Sequence, residues 1–417
     1  MKFVSKIALG AALALSTVGA STLPASAANA QEQAEAYQAK PSRKAAKPLS
    51  AANEALQAND FATAQAELAK ADAAAESADD RFITNQLRLN LAIATDDDAL
   101  LNEAINNLLN SGSQALTPEK QAQFISALGS KALENGDDAA ALQHFQRLAE
   151  LQPNNPSVIY NVGVLQLQNG QAQQSYDSFG RAIEVAEANG ETAEEAWYRQ
   201  RLAAALQNEY DLLEPGFALI QAYPTPQNWR DVLLSYRDTT ELSDDQNLDV
   251  FRLLHDVDAL QGEGDYFEYA STAERRRLLG EAKAAYDAGI SAGALDAGKP
   301  YVSELKGLID QNYATDQQEL DSLAAEAASE PNGKLAANTA TAYLGYGDNQ
   351  KAADLYRTAL EKGGVDAADV NTRLGIALTR AGDTAGARAA FEAAKSGQNG
   401  TLADFWLAYL DAQSPAG

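Results

Sequence analysis

The chain has 417 residues, 58 acidic against 32 basic side chains for a formal charge of −26, no cysteine, one methionine and two histidines. The lack of cysteine excludes disulfides, thiolate zinc sites, iron–sulfur clusters and cysteine nucleophiles, and two histidines leave little for transition-metal or acid–base chemistry. So acidic a chain is ill suited to nucleic acid or an anionic membrane surface, while 46% hydrophobic residues separate it from charged disordered polymers.

In chain order, Lys2 and Lys6 precede the apolar run from Ile7 to Ala20, and Ala25-Ser26-Ala27 follows as a small-residue cleavage pattern, with Ala28-Asn29-Ala30 as a second. This predicts a secretory signal peptide over 1–27 and an exported protein, periplasmic or secreted, with no integral membrane segment in the mature chain. Residues 28–47 are poor in bulky apolar side chains and carry Lys40, Arg43, Lys44 and Lys47, which predicts a flexible basic tether. Past Pro48 the pattern is amphipathic helices of about 12 to 16 residues broken by Asn, Gly, Asp and Pro, with no run of strand period.

A repeat is the most informative feature. Leu128-Gly129, Gly136, Ala141, Phe145 and Leu148 are answered 34 residues later by Val162-Gly163, Gly170, Ser175, Phe179 and Ala182, and Pro153 closes the first copy. Near the C-terminus Tyr343, Gly347, Ala352, Tyr356 and Ala359 are answered at a spacing of 35 by Leu378, Gly382, Ala387, Phe391 and Ala394. Weaker copies include Asn59, Ala64, Leu68 and Ala71, and Trp197, Asn208, Leu213 and Phe217. The physical reading is one of packing: a glycine where two helices approach closely, a glycine in the turn, a small residue and an aromatic on the second helix.

This period and grammar resemble the tetratricopeptide repeat (TPR). The resemblance implies an all-α, right-handed superhelical solenoid of about ten TPR-like helix–turn–helix units with a C-terminal capping helix, here Leu402 to Leu410 around Trp406. The organisation it predicts is an N-terminal TPR array over 48–223, a divergent TPR-like helical region over 224–330, and a C-terminal TPR pair with capping helix over 331–417. Register is open in 81–115, 226–261 and 298–330.

Catalytic patterns fail on context. Gly289-Ile290-Ser291-Ala292-Gly293 matches a nucleophile elbow, but a helix enters the serine and both histidines, His144 and His255, precede it. Gly293 to Lys299 approximates a phosphate loop, yet Pro300 stands where a magnesium-binding hydroxyl belongs. The acidic runs Asp96 to Asp98 and Asp244-Asp245 are read as helix starts. No catalytic residue, metal or cofactor is assigned.

What remains is a surface. The resemblance implies a concave face lined by the first helix of each pair, which places Tyr160, Asn161, Val164, Leu167, Tyr198, Arg199 and Leu202 in one groove, and Asn338, Thr341, Thr372, Arg373, Ile376 and Arg380 in another. Asn161 with Arg199, and Asn338 with Arg373, match positions of the carboxylate clamp in chaperone-binding TPR domains, but Ser126, Ser130 and Glu195 stand where its lysines belong. The resulting expectation is a non-enzymatic scaffold of the bacterial cell envelope that holds a peptide or partner helix in the groove. The alternative is an accessory role in envelope polysaccharide or peptidoglycan assembly or export. A peptidoglycan-lytic enzyme is disfavoured, because the chain ends in repeats where such enzymes carry their catalytic domain.

Overall fold

The computed structural model describes residues 37–396 and 400–413, so the segment expected as a signal peptide lies outside the described residues. It is all-α, with twenty helices and no strand among the described residues. They form two compact units, divided in sequence between Thr117 and Pro118.

The first unit holds two helical pairs, α1 (Arg43–Gln57) with α2 (Phe61–Ala74) and α3 (Ala78–Thr95) with α4 (Asp98–Leu109). Here the tether expected over 28–47 needs correction in its described part, 37–47. Ser42 caps α1, Pro48 lies inside it, and Ala45 and Leu49 are buried beside Ala71. Residues before the helix are anchored to the first turn of α3: the Tyr37 hydroxyl donates to Asp79 at 2.7 Å, and the Lys40 and Ser42 N–H groups donate to Asp79 and Asp80 at 3.0 and 2.7 Å. Two adjacent carboxylates at a helix N-terminus gather donors that a linker would leave in water.

Asp80 is fully buried and also accepts the N–H groups of Glu76 and Ser77. Burial alone would raise its carboxyl pKa, but the backbone donors, Ser42 first, outweigh it and bring the value down to about 2. A depressed folded pKa gives stability that is complete above the unfolded value near 4 and is lost as pH falls toward 2, roughly 2 kcal/mol in all. Asp80→Asn is therefore expected to weaken the first unit at neutral pH and to flatten its acid-unfolding profile in that window. Amide exchange in α1 and α3 as a function of pH checks this.

The second unit begins with α5 (Pro118–Glu134) and α6 (Asp138–Leu151), then α7 (Pro156–Gln168) and α8 (Ala172–Ala188), then α9 (Glu195–Gln207) and α10 (Leu213–Ala222). After a looser pair, α11 (Pro226–Thr239) and α12 (Asp244–Asp256), come α13 (Gly262–Arg275) and α14 (Leu279–Ser291). A single long helix, α15 (Pro300–Ser329), takes the place of a pair over the segment whose register was open. The last pairs are α16 (Lys334–Gly345) with α17 (Asn349–Lys362) and α18 (Ala367–Arg380) with α19 (Thr384–Ala394), followed by α20 (Gly400–Gln413).

The repeat grammar does what the sequence demands of it. A Cβ added to Gly129 would lie 2.8 Å from the Phe145 ring, one on Gly163 would lie 2.8 Å from Phe179, and one on Gly375 would be closer still to Phe391. Glycine is thus required where the first helix crosses the aromatic of the second. Gly129→Val is expected to destabilise the α5–α6 pair by about 1–3 kcal/mol through overpacking, with amide protection lost mainly between α5 and α7; equal loss near α18 would contradict a repeat stack.

One apolar core runs from Ile159 to Leu410, across the boundaries expected at 224 and 331. Helix α20 caps α19, with Trp406 fully buried and stacked on Phe391 at 5.7 Å. The same helix also packs against α10 and α12, and its Phe405 stacks on Phe217 of α10 at 4.6 Å and meets Tyr236 of α11 edge-on at 5.3 Å. The final repeats therefore return to the middle of the unit.

Candidate partner-binding face

The first helices α5, α7 and α9 present the groove positions of the N-terminal repeats. Asn161 is exposed, Tyr160, Val164 and Leu167 are half-buried, and Leu133 and Leu206 leave 41% and 44% of their surface open, a large fraction for leucine. Tyr160 is held rather than free: its ring stacks on Trp197 at 5.2 Å and tilts against Phe179 at 5.4 Å, and burial pushes its hydroxyl pKa up.

Three expected groove residues of α9 are committed to the protein itself. Tyr198 is buried, its ring edge-on to Tyr223, its hydroxyl donating to Glu187 at 3.0 Å, and burial followed by that bond pushes its pKa up to about 12. Leu202 is buried as well. Arg199 donates to Asn228 and Asp231 at 2.6 Å each, and Asn228 in turn donates to Glu195 at 2.9 Å. Its charge is answered by α11, although 41% of the side chain stays exposed.

In the second array Asn338 is exposed, but α18 is closed. Thr372 and Ile376 are fully buried, and Arg373 and Arg380 each reach a carboxylate of α12 that lies 124 residues earlier in the chain. Arg373 Nε donates to Asp249 at 3.1 and 3.3 Å, and Arg380 grips both oxygens of Asp256 at 3.0 Å. Both pairs repeat one heptad along each helix, so α12 and α18 run in the same direction with their charges in register. The α18 positions expected to face a partner, Arg373 and Arg380, thus face a helix of the same chain.

Behind these bridges lies a buried charge cluster that sequence reasoning missed. Arg252, 1% exposed, pairs with Asp249 and donates to Glu281 at 2.8 Å through Nε, and the Tyr269 hydroxyl donates to the same Glu281 at 2.8 Å. Burial works against the guanidinium, yet Glu281 and Asp249 together hold its pKa well above the usual value. Burial likewise raises the Asp256 carboxyl, but His255 and Arg380 bring it below the usual range. Two signals were available: an arginine inside Val250-Phe251-Arg252-Leu253-Leu254, and the matching seven-residue spacings Asp249 to Asp256 and Arg373 to Arg380.

No protein-family model matches the sequence, and no curated protein matches it. Similar solved structures include a tetratricopeptide repeat protein from Parabacteroides merdae, 13% identical, covering 70% of this chain and 98% of that one at a TM-score of 0.25. The TPR domain of P58(IPK) is 11% identical and covers 89% of this chain and 99% of its own, TM-score 0.26. The TPR2AB domain of yeast Sti1, solved in complex with pHSP90, is 13% identical and covers 71% and 100%, TM-score 0.22. The assignment of this chain to an all-α, TPR-like solenoid rests on its own packing, Gly129 on Phe145 and its counterparts.

Proposed function

We propose that this chain is a non-enzymatic scaffold of the bacterial cell envelope that receives a peptide or helix of a partner protein on the first-helix face of α5, α7 and α9. The observation that carries this reading is the contrast between two first-helix faces: α18 meets the chain's own α12 through Arg373 and Arg380, while α5, α7 and the end of α9 leave Leu133, Asn161 and Leu206 exposed. A face that accepts a helix in one half of the unit is a template for what its open counterpart accepts. The buried charges Asp249, Arg252, Glu281 and Arg373 pair with one another, which fits a structural role for them. Ser291 ends a helix instead of topping a strand, against the hydrolase pattern. Export is inferred from Lys2, Lys6, the apolar run and Ala25-Ser26-Ala27, and no described helix is long and apolar enough to cross a membrane.

A photo-crosslinking residue placed at Asn161 or Leu167 should capture the same protein in the exported fraction, whereas Gln173, exposed on α8, should capture none. Val164→Glu with Leu167→Glu should abolish that capture at unchanged helical content. Equal capture from Gln173, or none from the face, removes the reading. N-terminal sequencing of the recovered protein should begin at Ala28; an intact Met1 contradicts export.

A further inference from the structure

Where the α9–α10 turn meets the end of α11 and the start of α20, the second unit has a half-open cavity of about 510 Å³. Its walls are mixed: Leu206, Leu212 and Leu213 stand beside Tyr210 and Tyr236, the hydroxyl-bearing Thr239, Thr240 and Thr401 complete them, and the charged lining residues are Glu209 and Asp211. We propose that this cavity binds the basic side chain of a partner polypeptide, arginine or lysine, with the charged head against the two carboxylates and the methylene stem along the leucines and tyrosines.

Charge carries the argument. Neither Glu209 nor Asp211 has an ion-pair partner among the described residues, although Asp211 gives one oxygen to the Leu213 N–H at 2.9 Å. Each of the three chain segments that build the cavity is without Lys or Arg: 202–229 carries Glu209, Asp211 and Glu214, 238–251 carries Asp238, Glu241, Asp244, Asp245 and Asp249, and 396–417 carries Asp404 and Asp411. The arginines at the flanks are taken, Arg201 by Glu214 at 2.8 Å and Arg237 by Glu268 at 2.9 Å. Glu209 and Asp211 are themselves solvent-exposed, and the charge around the cavity is negative. A cation with a long apolar stem matches such walls better than a hydrated metal ion, because leucine and tyrosine surfaces cover methylenes and aromatic faces attract the cationic head. Glu209 adopts a left-handed φ of 54°, a turn position filled by glycine in some pairs and by Asn59, Asp96 or Arg277 in others. A carboxylate is thus carried at a backbone position where a side chain is costly.

The test uses the intact chain and two small probes, acetyl-arginine-amide and its uncharged isostere acetyl-citrulline-amide, titrated while amide resonances are followed. The arginine probe should shift the resonances of residues 206–213 and 236–240 and bind about tenfold more tightly than citrulline. Glu209→Gln combined with Asp211→Asn, which keeps the turn's acceptor, should remove that preference at unchanged helical content. Equal binding of the two probes, shifts located elsewhere, or no shift with either overturns the proposal.

Discussion

Arg252→Ala is expected to cost the second unit about 3–5 kcal/mol, because it removes the ion-pair partner of buried Glu281 and leaves Asp249 with Arg373 alone. Removing one partner of a buried charge cluster is far more costly than removing a neutral set. Arg252→Met together with Glu281→Leu leaves the Asp249–Arg373 pair intact and should recover much of the loss. Tryptophan fluorescence during urea unfolding reads this cleanly, since all three tryptophans, Trp197, Trp229 and Trp406, lie in the second unit. An Arg252→Ala protein as stable as the wild type would mean that the cluster is solvated.

The second large effect is expected at Phe405, which is fully buried between Phe217 and Tyr236. Phe405→Ala should cost about 3–5 kcal/mol. Its spread along the chain matters more than its size. In a linear stack the loss stays near the end that was changed, because each repeat touches only its neighbours. Here α20 also packs on α10 and α12, so amide protection should fall in α10 to α12 as well as in α18 to α20. Loss confined to α18–α20 would show that the return contact is absent.

How much of this was legible in the sequence follows from where each signal resides. The tight pairs were readable because their constraints are local: Gly129, Gly163 and Gly375 face an aromatic sixteen residues on, and Gly136, Gly170, Gly347 and Gly382 take left-handed φ in the turn. The divergent pairs hid because other residues fill the same turn slot. Asn59, Asp96, Glu209 and Arg277 adopt φ values of 54° to 61° there, so the glycine that marks the repeat is missing while the backbone is unchanged. For the α9–α10 turn this moved the slot one residue past Asn208. Residues 37–47 of the expected tether are held by Asp79 and Asp80, some forty positions away, which a local reading of composition does not show.

The groove residues divide on the same principle. Asn161, Val164, Leu167 and Asn338 lie exposed or half-exposed where the repeat register puts them. Tyr198, Arg199, Leu202, Arg373 and Arg380 were assigned to a partner, and each is engaged within the chain. A repeat pattern specifies which way a side chain points from its own helix. What it meets there depends on how the chain winds: Arg199 meets α11 some thirty residues on, while Arg373 and Arg380 meet α12, 124 residues earlier.

Those contacts are the centre of the account, and a charge swap at Asp256 and Arg380 tests them most directly. The two side chains meet at 3.0 Å with 124 residues between them, and the arginine is 23% exposed. Asp256→Arg alone sets two cations against each other, and Arg380→Asp alone sets two anions. Each should lower the stability of the second unit, measured by urea unfolding, while the double variant should regain a substantial part of the combined loss. That non-additivity is the predicted result. Losses that simply add in the double variant would mean that α12 and α18 do not meet, and that the second groove is as open as the first.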